Sequence, residues 1–81
     1  MDKETVKNRL TKVFRDVFDD YAIELSDDTT ADDIDDWDSL EHITLISSVE
    51  KEFKMRFTMK EVSGMKKVGE MINIIAERAK K

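Results

Sequence analysis

The sequence predicts an all-α domain, a four-helix bundle with a short third helix and a long loop between helices one and two. Three observations predict it. Apolar residues recur at helical period in three separate long stretches. The 81 residues include no Pro and only two Gly, which leaves little material for the tight hairpins of a strand-and-turn architecture. A hydrophobic content of 40% is enough for one modest core even though 41% of the chain is charged. One domain over residues 1–81 follows.

The first helix is expected over about residues 3–19. Val6, Leu10, Val13, Phe14 and Val17 fall on one stripe, Lys3, Lys7, Arg9, Lys12 and Arg15 cover much of the remaining surface, and Asp2 is placed to cap the start. Residues 20–36 carry no sustained period, and among their Asp, Thr and Ser residues only Tyr21, Ile23, Leu25 and Ile34 can anchor a loop. A loop of that length in so small a domain tends to be functional. The second helix is expected from Asp38 or Ser39 to about Phe53. Asp38 and Glu41 stand at capping-box spacing, and Leu40, Ile43, Leu45, Ile46, Val49 and Phe53 supply the buried face. Thr58 and Glu61 form a second capping box for a short third helix, with Met59 and Val62 as its apolar residues and Gly64 as its stop. Val68, Met71, Ile72, Ile75 and Ala79 mark the fourth helix, whose last turns carry Arg78, Lys80 and Lys81 toward the negative end of the helix dipole. Lys66 and Lys67 stand where a capping Ser, Thr or Asp is expected, and nothing local explains them.

Composition excludes several functions. The absence of Cys removes disulfides and thiolate metal sites and is compatible with a reducing compartment. No apolar run approaches the roughly 18 residues of a membrane span and no basic-plus-apolar leader opens the chain, so a cytoplasmic protein is expected. A net charge of -5 disfavours nucleic acid, whose phosphates require Lys and Arg. The distribution of charge is more informative. Between Asp16 and Glu50 there are thirteen Asp and Glu residues and no Lys or Arg, and all fourteen basic residues lie outside that window. A block of this kind is either a solvated loop or a docking face for basic partners.

Ser39 sits inside the acid-only window where the second helix begins, within Trp37-Asp38-Ser39-Leu40-Glu41. Three chemistries can be considered there. Ser39 and His42 are three apart on one helix, but a nucleophile needs an oriented base and an oxyanion hole, and nothing in the sequence nominates either. The aspartates of residues 27–38 offer hard oxygen ligands, yet they lack the Gly and the alternating spacing of an EF-hand, so no dedicated metal site is expected. Finally, the free N–H groups of a helix's first turn can accommodate a phosphate, which makes Ser39 a candidate modification site. Simple helix capping by Asp38 and Ser39 accounts for the same spacing. Local spacing leaves these last two readings open.

Asp38-Ser39-Leu40 at the start of the second helix resembles the attachment motif of the acyl carrier protein family. The resemblance extends through the amphipathic first helix, the loop at residues 23–30, Ile43, residues 50–53, Phe57, Val62 and residues 68–72. It implies that Ser39 is esterified with 4'-phosphopantetheine, donated from coenzyme A by a separate phosphopantetheinyl transferase. It implies a non-catalytic carrier of acyl groups as thioesters, serving acyl-ACP synthetase, ketosynthase or acyltransferase-type enzymes through basic patches on those enzymes. Asp35, Asp36, Trp37, Leu40 and Glu41 would form the docking face beside Asp38 and Ser39, and a monomer is expected. An aminoacyl or peptidyl carrier is the alternative cargo class, and an unmodified acidic adaptor is the alternative of a different kind. Carriers of primary fatty acid synthesis usually have a small residue before Asp-Ser-Leu, where this chain has Trp37. They also commonly have Glu where it has Thr44 and Lys51. In these respects it resembles stand-alone carriers of specialised pathways.

Overall fold

Four helices account for most of the ordered backbone in the computed structural model, which describes residues 1–34, 36–65 and 67–79. They are α1 (Lys3–Phe18), α2 (Ser39–Phe53), α3 (Met59–Gly64) and α4 (Val68–Arg78), with one 3-10 turn at Ala31–Asp33 in the long loop. The described residues contain no strand. Asp35, Lys66, Lys80 and Lys81 lie outside the described residues, and with them the expectations attached to those positions.

Local chemistry starts the helices where the side chains can cap them. Asp2 accepts from the Thr5 N–H at 2.8 Å, and Asp38 does the same for Glu41 at 2.8 Å. Thr58 and Glu61 close a reciprocal box, Glu61 N–H to Thr58 Oγ1 at 3.1 Å and Thr58 N–H to Glu61 Oε1 at 2.9 Å. α1 and α2 both end on a left-handed residue that is not glycine, Asp19 at φ 50° and Lys54 at φ 52°.

The start of α4 is capped from a distance. The N–H groups of Val68 and Gly69 donate to the carbonyls of Thr29 and Asp27 at 2.8 and 3.0 Å, and Glu70 accepts from the Lys67 N–H at 3.0 Å. Lys67 therefore needs no capping side chain, because loop carbonyls some forty positions earlier satisfy the orphan donors. Thr29 is buried at this junction and its hydroxyl accepts from the Ser26 N–H, which shapes the loop for the contact.

α1 packs against both α2 and α4. The core between them holds Val6, Leu10 and Phe14 from α1, Leu45, Val49 and Phe53 from α2, and Val68, Met71, Ile72 and Ile75 from α4. Ile23, Leu25 and Ile34 turn inward from the long loop and Met55 from the next one. At the surface, Arg9 bonds both the Glu52 carboxylate and its carbonyl, while its guanidinium lies 4.7 Å from the Phe53 ring centroid, stapling α1 to α2.

Five apolar assignments differ from expectation. Phe18, not Val17, completes the buried stripe of α1, because the loop folds Trp37 over the end of that helix; Val17 is half-buried at the core's edge. Tyr21 is 69% exposed, its hydroxyl 3.5 Å from Asp16 Oδ1. In α2 the buried stripe runs through Leu45, Val49 and Phe53, which leaves Ile43 about a quarter turn off it and Leu40 on the far side. They are 61% and 77% exposed. Met59 is 85% exposed, since α3 buries no side chain fully.

Candidate functional site

Ser39 occupies the first helical position of α2, one residue after its cap, and it is exposed. Of the first-turn donors, Glu41 gives its N–H to the Asp38 side chain and His42 gives its N–H to the Asp38 carbonyl at 2.8 Å. The N–H groups of Ser39 and Leu40 are the two the helix leaves over. Asp38 therefore acts as the cap that presents Ser39, and capping does not consume the Ser39 hydroxyl.

Trp37 positions this helix start. Its indole ring meets Phe14 edge-on at a centroid distance of 5.1 Å and lies 6.4 Å from Phe18, so the residue just before the cap is clamped to α1. Its other edge faces His42. The Trp37 Nε1–H donates to His42 Nδ1 at 3.0 Å, with the rings 24° from parallel, and His42 Nε2 lies 3.3 Å from the Val62 carbonyl of α3. An indole nitrogen can only donate, so His42 Nδ1 accepts and its Nε2 carries the proton that reaches Val62.

That pairing settles the Ser39–His42 question. Both imidazole nitrogens are committed elsewhere, so His42 is not positioned to take a proton from Ser39. The Ser39 hydroxyl is exposed, and His42 does not activate it.

An open groove of about 770 Å³ runs beside Ser39, between α2, α3 and the loop. Trp37, Ile43, Val62 and Met65 give it apolar walls, and Asp32, Asp38, Ser39 and Ser63 give it polar ones. A smaller hollow of about 330 Å³ on the other side of the loop, lined by Phe18, Ile23, Glu24, Asp33 and Asp36 among others, does not include Ser39.

The expected docking residues divide. Asp36 and Leu40 are exposed, Glu41 is half-buried, and Trp37 is half-buried with its ring spent on Phe14, Phe18 and His42. Some acids of the acid-only window serve the backbone. Asp33 accepts from the Thr30 N–H, Asp20 from that of Ala22, and Glu50 from that of Phe57. Sequence reasoning missed His42 as a site residue, and it placed Ile43 in the core although it lines the groove. The only sequence signal for the groove was the apolar spacing of Val62 and Met65.

No family model and no curated protein matches the chain. Among solved structures it is similar to the solution NMR structure of a holo acyl carrier protein from Geobacter metallireducens, with a TM-score of 0.85 and 41% identity. The match covers 90% of this chain and 84% of that one. That likeness, at 41% identity over most of both chains, shows a carrier protein rather than an enzyme. The chain belongs to the acyl carrier protein family.

Proposed function

We propose that Ser39 is the attachment point for 4'-phosphopantetheine and that the chain, as one domain, carries acyl groups between partner enzymes in the cytoplasm. The observation that carries this reading is the exposed Ser39 hydroxyl at the first position of α2, free of hydrogen bonds to any described residue and beside a groove with apolar walls.

The residues fit the group. A phosphate on Ser39 Oγ would meet the spare N–H groups of Ser39 and Leu40 and the positive end of the α2 dipole. When bound, the arm supplies a flexible thiol on which acyl groups are held as thioesters. In the loading step Ser39 Oγ forms a bond to the phosphorus that carries the pantetheine of coenzyme A, and the pyrophosphate P–O bond breaks. Adenosine 3',5'-bisphosphate leaves, and the serine proton passes to the transferase, since no base among the described residues is aimed at it. Asp38 holds the helix start rigid during the transfer, and Leu40 and Ile43 present apolar surface next to it.

Asp36, Asp38 and Glu41 place negative charge around the attachment point, which steers the chain toward basic patches on a transferase and on acyl-handling enzymes. Steering of this kind gives fast and weak association, suited to a carrier that must leave after each step. Trp37 supports a specialised pathway over primary fatty acid synthesis. The aromatic clamp on Phe14 and Phe18 is an internal arrangement that a small residue at that position could not make. Intact-mass analysis after incubation with coenzyme A and a broad-specificity transferase tests the reading. One added phosphopantetheine per chain is expected, and an unchanged mass would favour an unmodified acidic adaptor.

A further inference from the structure

We propose that His42 is a positioning residue that fixes α3 at the edge of the Ser39 groove, with Trp37 selecting the tautomer in which it does so. Its functional consequence rests on the reading of Ser39 as the attachment point.

The argument begins with α3. This helix is six residues long and buries no side chain fully; Val62 and the C-cap Met65 rest partly buried against the core, so apolar burial holds it only in part. Polar ties supply the rest. On the α4 side, the Arg78 guanidinium forks onto both Glu61 oxygens. On the groove side, the tie is His42 Nε2 to the Val62 carbonyl. Each is worth on the order of one hydrogen bond or one surface ion pair, so α3 is the wall of the groove that moves most cheaply.

The groove-side tie depends on which His42 nitrogen bears the proton. With Nδ1 accepting from the Trp37 indole, Nε2–H points its hydrogen at Val62. Without that indole donor the other tautomer becomes available, and it would set a nitrogen lone pair against a carbonyl oxygen. A continuous chain therefore runs from Phe14 in α1 through Trp37 and His42 to α3. Through that chain, the position of Phe14 in the core bears on the separation of α2 and α3, and with it on the space next to Ser39 that an arm-borne acyl group can enter. Trp37, His42 and Val62 all line that groove.

Trp37→Phe keeps an aromatic ring against Phe14 but removes the donor together with part of the indole's volume, so the imidazole tautomer and the exchange in the cores of α1 and α4 separate the relay from the packing loss. In the unmodified protein, nitrogen NMR of the imidazole is expected to show the Nε2–H tautomer in the wild type and a rise in the Nδ1–H form in Trp37→Phe. Amide exchange at residues 62–65 should speed up roughly fivefold in Trp37→Phe and in His42→Ala, about the equilibrium value of one net hydrogen bond. Exchange in the cores of α1 and α4 should stay the same, and the double variant should exchange no faster than His42→Ala alone. An unchanged tautomer in Trp37→Phe, additive effects, or equal acceleration throughout the chain would each overturn the relay. Octanoyl-loaded and unloaded holo forms supply the functional arm. Octanoylation should move the Val62 methyl resonances further in Trp37→Phe than in the wild type, and equal movement would overturn the claim that the relay governs the groove. Intact mass is read first, so a chain that does not load rejects the attachment reading while the unmodified-protein measurements still decide the relay.

Discussion

Gly69 lies directly beneath the Asp27 carbonyl, where a side-chain carbon built on it would stand 2.9 Å from that oxygen and 3.1 Å from the Asp27 Cβ. The same oxygen accepts the Gly69 N–H at 3.0 Å, so the contact cannot open without giving up a cap of α4. The glycine is needed here for close approach, since its φ is not in the left-handed region. Gly69→Ala should destabilise the protein by about 1–3 kcal/mol, as overpacking against backbone does. Gly64, with nothing within 4 Å of its hypothetical Cβ, is the control. Gly64→Ala should be neutral or stabilising by up to about 1 kcal/mol. Urea midpoints of the two variants measure the contrast, and equal shifts would mean that the loop does not rest on α4.

Ile43 and Ile46 make a second internal comparison, with the same side chain three residues apart on one helix. Ile46 is 7% exposed and Ile43 61% exposed. Truncation of Ile46 to Ala should cost about 2–5 kcal/mol, and that of Ile43 about 0.5 kcal/mol or less. Thermal denaturation of the two variants is sufficient to rank them.

The Glu61–Arg78 pair makes the anchoring of α3 depend on pH. Hydrogen bonds from the Arg78 guanidinium, and then from the Thr58 N–H, hold the Glu61 carboxyl below the usual glutamate range. A carboxyl with a lowered folded-state pKa contributes stability that is present above its unfolded pKa and lost as pH falls through the folded one. Protection of the α3 amides should thus be constant near neutral pH and decline on acidification below the ordinary glutamate range, near pH 4. Glu61→Gln should lower protection at neutral pH and flatten that decline. A parallel decline in the variant would assign the acid sensitivity to other groups.

Electrostatic docking predicts a salt effect on loading. Glu41→Lys or Asp36→Lys should slow phosphopantetheinylation more at low ionic strength than at high, because exposed charges are screened within roughly 10 Å at 0.1 M salt. Initial rates across a salt series are the measurement, and equal slowing at every concentration would remove steering from the account.

The helices were legible in the sequence because their signals are local. The caps Asp2, Asp38 and the Thr58–Glu61 box, and the stripes of Leu10 and Phe14 or Met71 and Ile75, need only neighbours within a turn or two. Ser39 was legible as a helix start for the same reason, and its proposal as an attachment point came only from the family pattern around it. The contacts that position the site were not legible, because they are made across the chain. Capping of α4 by Asp27 and Thr29 leaves no trace beside Lys67. The inward turn of Phe18 depends on Trp37, nineteen positions later. The positioning contacts of His42 left no local signal because its partners are a ring five residues before it and a backbone carbonyl twenty residues after it. The period of α2 overcounted its buried face, since Leu40 and Ile43 are apolar residues that the helix leaves exposed, Ile43 on the groove wall.

The central claim is that the exposed Ser39 hydroxyl receives the phosphopantetheine arm. Fragment mass mapping after incubation with coenzyme A and a transferase tests it most directly, with the wild type and Ser39→Ala treated side by side. The account predicts a single phosphopantetheine on the peptide containing Ser39 in the wild type and none anywhere in Ser39→Ala. An arm on another serine, or none on the wild-type chain, would contradict it.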